Sequence, residues 1–117
     1  MNNALTCTWT SPRPDTARVV VIGDLEYTTA ALLPKLIGDR LAAAPGVRDV
    51  RLDCEGIGFC DSSGLSALLR VHTVVTDAGR RLHLDNRRPA LDRLLALTGT
   101  FAHLTGEAPI SRARADS

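Results

Sequence analysis

The order in which the apolar pattern changes its period constrains this chain more than any other feature. Two strand-like segments come first, and helix-like and strand-like segments then alternate. That order calls for a mixed sheet, opened by a hairpin and completed by parallel crossovers covered with helices. Leu5 to Thr10 reads as an edge strand, Ser11 to Asp15 as a turn holding two prolines, and Arg18 to Gly23 as the returning strand. Its β-branched run Val19-Val20-Val21-Ile22 predicts burial on both faces. Beyond Gly23-Asp24-Leu25-Glu26, the residues Leu33, Leu36, Ile37 and Leu41 recur at helical spacing until the stop signal Pro45-Gly46. Pro34 either lies in the first turn of this helix or kinks it.

Val47 to Cys54 is a third strand and Glu55 to Cys60 a loop after it. Leu65, Leu68, Leu69, Val71 and Val75 mark one face of a second helix, which Gly79 closes. Arg81 to Leu84 is a short strand. Pro89 suits the first position of a third helix that carries Leu91, Leu94, Leu95 and Leu97 and stops at Gly99, and Phe101 to Leu104 reads as a last short strand. The stretch 106–117 lacks apolar residues to anchor it and is expected to be a flexible tail, which leaves 1–105 as the domain.

With 117 residues, the chain can build one core but not two. It is 44% hydrophobic, yet its aromatics are only Trp9, Tyr27, Phe59 and Phe101, so the core must be aliphatic and Trp9 is read as packing. Fourteen basic residues against thirteen acidic ones remove the charge excess that direct nucleic-acid binding uses. No apolar run approaches the ~18 residues of a membrane span, and the polar start Met1-Asn2-Asn3 has no leader pattern, so a cytoplasmic protein without membrane insertion is expected. Cys7, Cys54 and Cys60 are odd in number and not spaced as metal ligands; they are predicted to be buried thiols, with no metal site. Gly56 and Gly58 lack the rest of a nucleotide loop, so neither a cofactor nor intrinsic ATPase activity is expected. Arg87, Arg88 and Arg93 read as solvated surface.

The segment Asp61-Ser62-Ser63-Gly64 stands where a helix begins. One reading is an N-cap, in which Asp or Ser accepts hydrogen bonds from first-turn amides. The other is a switch: a serine hydroxyl at the positive end of a helix dipole tolerates an added phosphate without unfolding the domain.

Phe59-Cys60-Asp61-Ser62-Ser63-Gly64-Leu65 resembles the phosphorylation-site segment of bacterial anti-sigma factor antagonists of the STAS family. Gly23-Asp24-Leu25-Glu26 is similar to that family's Gly-acid-Leu-Asp turn, Val50-Arg51-Leu52-Asp53 to its strand before the site, and Gly79 to Leu84 to its following strand. Arg88-Pro89-Ala90 and Leu94 to Gly99 resemble its last helix, so the likeness runs from about residue 18 to 104. Glu26 in place of Asp, Cys60 in place of an apolar residue, and Pro34 depart from the pattern.

The resemblance implies an α/β fold, a single STAS domain with a small mixed β-sheet packed with helices on one side. It also implies a partner-switching cycle and no enzymatic activity. The unphosphorylated protein binds an anti-sigma factor that is also a serine kinase, frees the sigma factor for transcription, and is released when phosphorylated; a phosphatase resets it. By position the phosphoacceptor is Ser63, with Ser62 the near alternative, and the partner-binding residues are Asp24, Glu26, Asp61, Ser62, Ser63 and Gly64. A dimer is left open. Two rival readings remain. A serine hydrolase would require His72, His83 or His103 to reach a serine. A scaffold subunit of a lipid-transport or transporter complex would keep the fold and leave the serine unphosphorylated.

Overall fold

A computed structural model describes residues 4–106. Strands β1 (Thr6–Arg13) and β2 (Thr16–Leu25) form the opening hairpin. Helix α1 (Leu32–Ala42), strand β3 (Asp49–Cys60), helix α2 (Ser62–Asp77) and strand β4 (Arg81–Asp85) then alternate, and helices α3 (Pro89–Thr98) and α4 (Phe101–Thr105) follow. The sheet order is β1-β2-β3-β4, antiparallel at the hairpin and parallel at the two other pairings. Because the parallel strands follow one another without a reversal of direction across the sheet, right-handed crossovers carry α1 and α2 to the same face.

That one-sided cover decides the burial of every strand. In β2, Ala17, Val19 and Val21 are buried whereas Arg18 and Ile22 are exposed and Val20 is half-buried, so the β-branched run alternates and the expectation of burial on both faces does not hold. Beneath the helices lies an aliphatic core in which Val19, Val21, Leu33, Ile37, Leu52, Leu68, Val71, Val75 and Leu95 have no exposed surface. Burying one such side chain stabilises the fold by about 1.5–3 kcal/mol. Trp9 and Cys7 pack half-buried on the edge of this core, as the reading of Trp9 required. Pro34 falls on the third residue of α1, where its missing N–H is one of the donors a helix leaves unpaired anyway, and it does not interrupt the helix.

Other boundaries differ from the pattern. β1 continues through Ser11-Pro12-Arg13, which leaves only Pro14 and Asp15 for the turn. Glu55 to Cys60 is strand rather than loop: β3 passes an irregularity and pairs again, Gly56 with Ile22, Ile57 with Gly23 and Cys60 with Leu25. The two glycines there hide the alternation. Phe101 to Leu104 is helix rather than strand. Leu104 N–H donates to Thr100 O, and Phe101 and Leu104, three residues apart, turn toward the core together. Of the cysteines, only Cys54 is buried; Cys7 and Cys60 are half-buried. Arg87 is not surface: it is hydrogen-bonded to Asp92 (2.6 Å) and Leu84 O (2.8 Å) and lies over the Phe101 ring. The expected tail lies, apart from Gly106, outside the described residues.

Candidate functional site

Two segments distant in sequence meet at the carboxyl ends of β2 and β3. Asp61 N–H donates to Leu25 O (3.3 Å), which joins the start of α2 to the end of β2. Asp61 is the N-cap of α2: its extended backbone (φ −99°, ψ −166°) aims the carboxylate at the first turn, where Oδ1 accepts from Gly64 N–H at 2.9 Å. The capping reading of this segment is therefore realised by the aspartate, and both serines are left without a capping task. Gly64 allows the close approach, because a Cβ there would collide with Leu25 O and lie 2.8 Å from Cys60 Sγ.

Asp24 ties the same corner from the other side. Its Oδ1 accepts from Phe59 N–H at 3.0 Å, and the absence of a side chain at Gly58 makes room for it, since a Cβ there would stand 2.8 Å from that oxygen. The chain then turns: Thr29 Oγ1 donates to Asp24 O (2.7 Å), Glu26 N–H donates to Thr29 Oγ1 (3.2 Å), and Glu26 Oε2 accepts from Thr28 Oγ1 (3.0 Å). Asp24, Glu26, Asp61, Ser62, Ser63 and Gly64 thus stand on two adjoining segments, with Asp24 and Asp61 also holding backbone together.

The two serines differ. Ser62 is exposed, whereas Ser63 is half-buried and lines a shallow cleft of about 230 Å³ between α1 and α2. Tyr27, 81% exposed, stands at this cleft, Ala31 and Pro34 form its α1 wall, and Ser66 and Arg70 continue the α2 wall. Sequence reasoning missed Tyr27 and Arg70. The spacing of Ser63, Ser66 and Arg70 over two helical turns was the available signal.

On the opposite side of the Cys60 corner, a groove of about 540 Å³ runs between the end of β3 and α3, lined by Ile57, Phe59, Leu94 and Leu97 with Arg88 and Arg93. Burial, with the Asp61 carboxylate adding to it, pushes the Cys60 thiol up to about 11, which disfavours the reactive thiolate. Cys60 packs, partly buried, against the core. Burial likewise raises Cys54 to about 12. The histidines are engaged elsewhere: His83 Nε2 is 2.9 Å from Asp49 Oδ1, and the His72 and His103 rings lie 4.3 Å apart. Among the described residues, no hydrogen bond joins a histidine to Ser62 or Ser63, so no hydrolase triad is assembled. No helix among the described residues is long and apolar enough to cross a membrane.

A small α/β domain with one hairpin, two same-side crossovers and a capped helix start beside the β2 turn defines a STAS-type module. The chain belongs to the STAS domain family, whose model described as "Mlab, STAS domain" matches residues 10–105. Among solved structures, it is similar to the anti-sigma factor antagonist SpoIIAA in its unphosphorylated form, with 17% identity over 95% of each chain and a TM-score of 0.70. The phosphorylated form of SpoIIAA, a Bacillus cell fate determinant, gives 17% identity, coverage of 95% of this chain and 98% of that chain, and a TM-score of 0.64. An anti-sigma factor antagonist from Mycobacterium paratuberculosis gives 23% identity over 96% of this chain and 91% of that one, at a TM-score of 0.69. The murine anion transporter Slc26a9 gives 15% identity over 86% of this chain but only 18% of its own, at a TM-score of 0.64. At these identities the likeness establishes the fold. No curated protein sequence matches the chain.

Proposed function

We propose that this protein is an anti-sigma factor antagonist that docks on an anti-sigma factor with serine kinase activity and is released when that kinase phosphorylates Ser63. The observation that carries the reading is the placement of Ser63 on the first turn of α2, at a cleft beside the Leu25–Glu26 turn, with Asp61 doing the capping. A residue so placed can gain a phosphate without loss of a core contact or a helix cap. The same fold has been solved for SpoIIAA in both unphosphorylated and phosphorylated forms.

In the transfer step, the γ-phosphoryl group of ATP passes to Ser63 Oγ, the hydroxyl proton leaves and ADP is released. The added group carries about −1.5 to −2 charges and three acceptor oxygens. First-turn amides and the helix dipole favour that anion within the domain. A partner that covers the corner meets a strongly hydrated dianion beside Asp61 and Glu26, and burying it unpaired costs more than the docking contacts return. A cytoplasmic phosphatase would restore the hydroxyl. The protein itself is proposed to act by binding and not by catalysis.

A second reading is favoured by one finding, the similarity to a stretch that covers 18% of an anion transporter chain. In that reading the module is a scaffold subunit of a transporter or lipid-transport complex, and Ser63 stays unmodified.

Incubation with source-cell extract and Mg-ATP, followed by intact mass and peptide mapping, separates the two. The antagonist reading expects a gain of about 80 Da, the mass of one phosphoryl group, on Ser63 and none in Ser63→Ala. No gain on the wild type, in an extract that phosphorylates a control antagonist, would replace it with the scaffold reading. A gain on Ser62 would keep the switch and move the acceptor by one residue.

A further inference from the structure

We propose that Arg70 is the built-in cation that receives a phosphate on Ser63, so that phosphorylation rewires the cleft between α1 and α2 as well as adding charge to it. The inference rests on the reading of Ser63 as the acceptor. Ser63 and Arg70 line the same cleft, and no carboxylate lines it with them. Seven residues separate them, which on a helix is about 10.5 Å of rise and within about 20° of the same face. Side chains on a helix lean toward its N-terminus, so the long Arg70 side chain inclines along the groove toward Ser63. Ser66 lies between them on the same wall.

The lack of an ion pair on Arg70 is compatible with the same assignment. Arg18, Arg51, Arg81 and Arg87 are each held by a carboxylate 2.6–2.9 Å away, whereas Arg13, Arg40, Arg48, Arg88 and Arg93, like Arg70, have no ion pair among the described residues; of these, Arg70 is the one that lines the cleft with Ser63. Arg70 is exposed and has no ion pair or hydrogen bond among the described residues. A guanidinium without a carboxylate partner, in the same cleft as an acceptor hydroxyl, is suited to bidentate phosphate binding if it reaches the phosphate. Before phosphorylation, the same free cation and the exposed Tyr27 hydroxyl are available to a partner's carboxylate; afterwards the phosphate, tethered in the same cleft, competes for Arg70 at high effective concentration. The geometry also separates the serines, since Ser62 is exposed and does not line the cleft.

The test uses full-length protein with phosphoserine installed at position 63 during translation, and follows its ³¹P resonance across pH. A phosphoserine ordinarily takes up its second proton near pH 6. Pairing with Arg70 stabilises the dianion and lowers that value, so the Arg70→Gln protein should titrate at least about half a unit higher than wild type, with Arg70→Lys in between. Asp61 and Glu26 push the value up and Tyr27 can donate to it, but all three are the same in each protein, so the difference isolates residue 70. Coincident titrations of wild type and Arg70→Gln would overturn the pairing. So would an equal Arg70 dependence for phosphoserine installed at position 62, which would mark a long-range field instead of a cleft contact. Because the phosphate is installed without a kinase, failure of an extract to phosphorylate Ser63 would sink the switch reading while this titration still decided the pairing.

Discussion

The uncovered face of the sheet and the cleft at the start of α2 are both polar, but they handle charge in opposite ways. On the sheet face, Arg18 binds Asp53 at 2.6 Å, Arg51 grips Asp85 through two nitrogens (2.9 and 3.1 Å), and Arg81 and His83 share Asp49. Asp53 accepts in addition from Asn86 at 3.2 Å and from Glu55 N–H at 3.1 Å. These side chains come from adjacent strands and satisfy one another. In the cleft, Arg70 and Tyr27 are exposed and the Ser63 hydroxyl is free of any capping bond. Saturated charges hold a surface together, and unsaturated ones are available to something that arrives.

The largest expected effect that would break this comparison comes from Asp53→Ala. Its side chain is only 11% exposed, and its removal strands Arg18, Asn86 and an amide at once. A loss on the order of 2 kcal/mol is expected in urea unfolding. A loss below about 0.5 kcal/mol, the usual size for a simple surface site, would mean that the network is ornamental. Asp61→Ala should cost about 1 kcal/mol, the ordinary worth of an N-cap, because Gly64 N–H loses its acceptor.

Acid sharpens the contrast. Asp49 is held below the usual carboxylate range, first by its hydrogen bond with His83 and then, against some burial, by Arg81. Burial opposes the charge on Asp53, but the bonds from Arg18, Asn86 and the Glu55 amide outweigh it and lower its pKa too. For a carboxylate with a lowered folded pKa, the stabilisation is complete above the unfolded value near 3.9 and is lost as pH falls through the folded one. The stability gap between wild type and Asp53→Asn should therefore be constant above about pH 5 and close below about pH 4. The smallest effect is expected in the cleft: Ser63→Ala should change stability by less than about 0.5 kcal/mol while removing the proposed acceptor. A larger loss in thermal unfolding would make Ser63 a structural residue like Asp53.

Much of the architecture was legible because it is written in local periodicity. Leu33, Ile37 and Leu41 repeat at helical spacing, as do Leu65, Leu68, Val71 and Val75, and these residues are buried. Gly79 and Gly99 end their helices in left-handed conformations (φ +79° and +74°) that glycine adopts freely. The misreadings fell where local pattern is ambiguous. Phe101 to Leu104 is too short to separate one period from the other, and Gly56 and Gly58 blank two positions of a strand. Arg87, two residues before a helix, carried no sign that Asp92 and Phe101 would enclose it.

The sequence by itself determined the order of elements, the aliphatic core, the helix start at Asp61 and the family, because each depends on neighbouring residues or on ordered motifs along one chain. Only the tertiary structure decided which face of β2 stays wet, that the Asp24–Glu26 turn lies against Asp61, that Ser63 rather than Ser62 opens on the cleft, and that Tyr27 and Arg70 share it. Those relations join residues as far as 43 positions apart. They follow from how two right-handed crossovers stack α1 beside α2 on one side of a twisted sheet, and no local pattern encodes that arrangement.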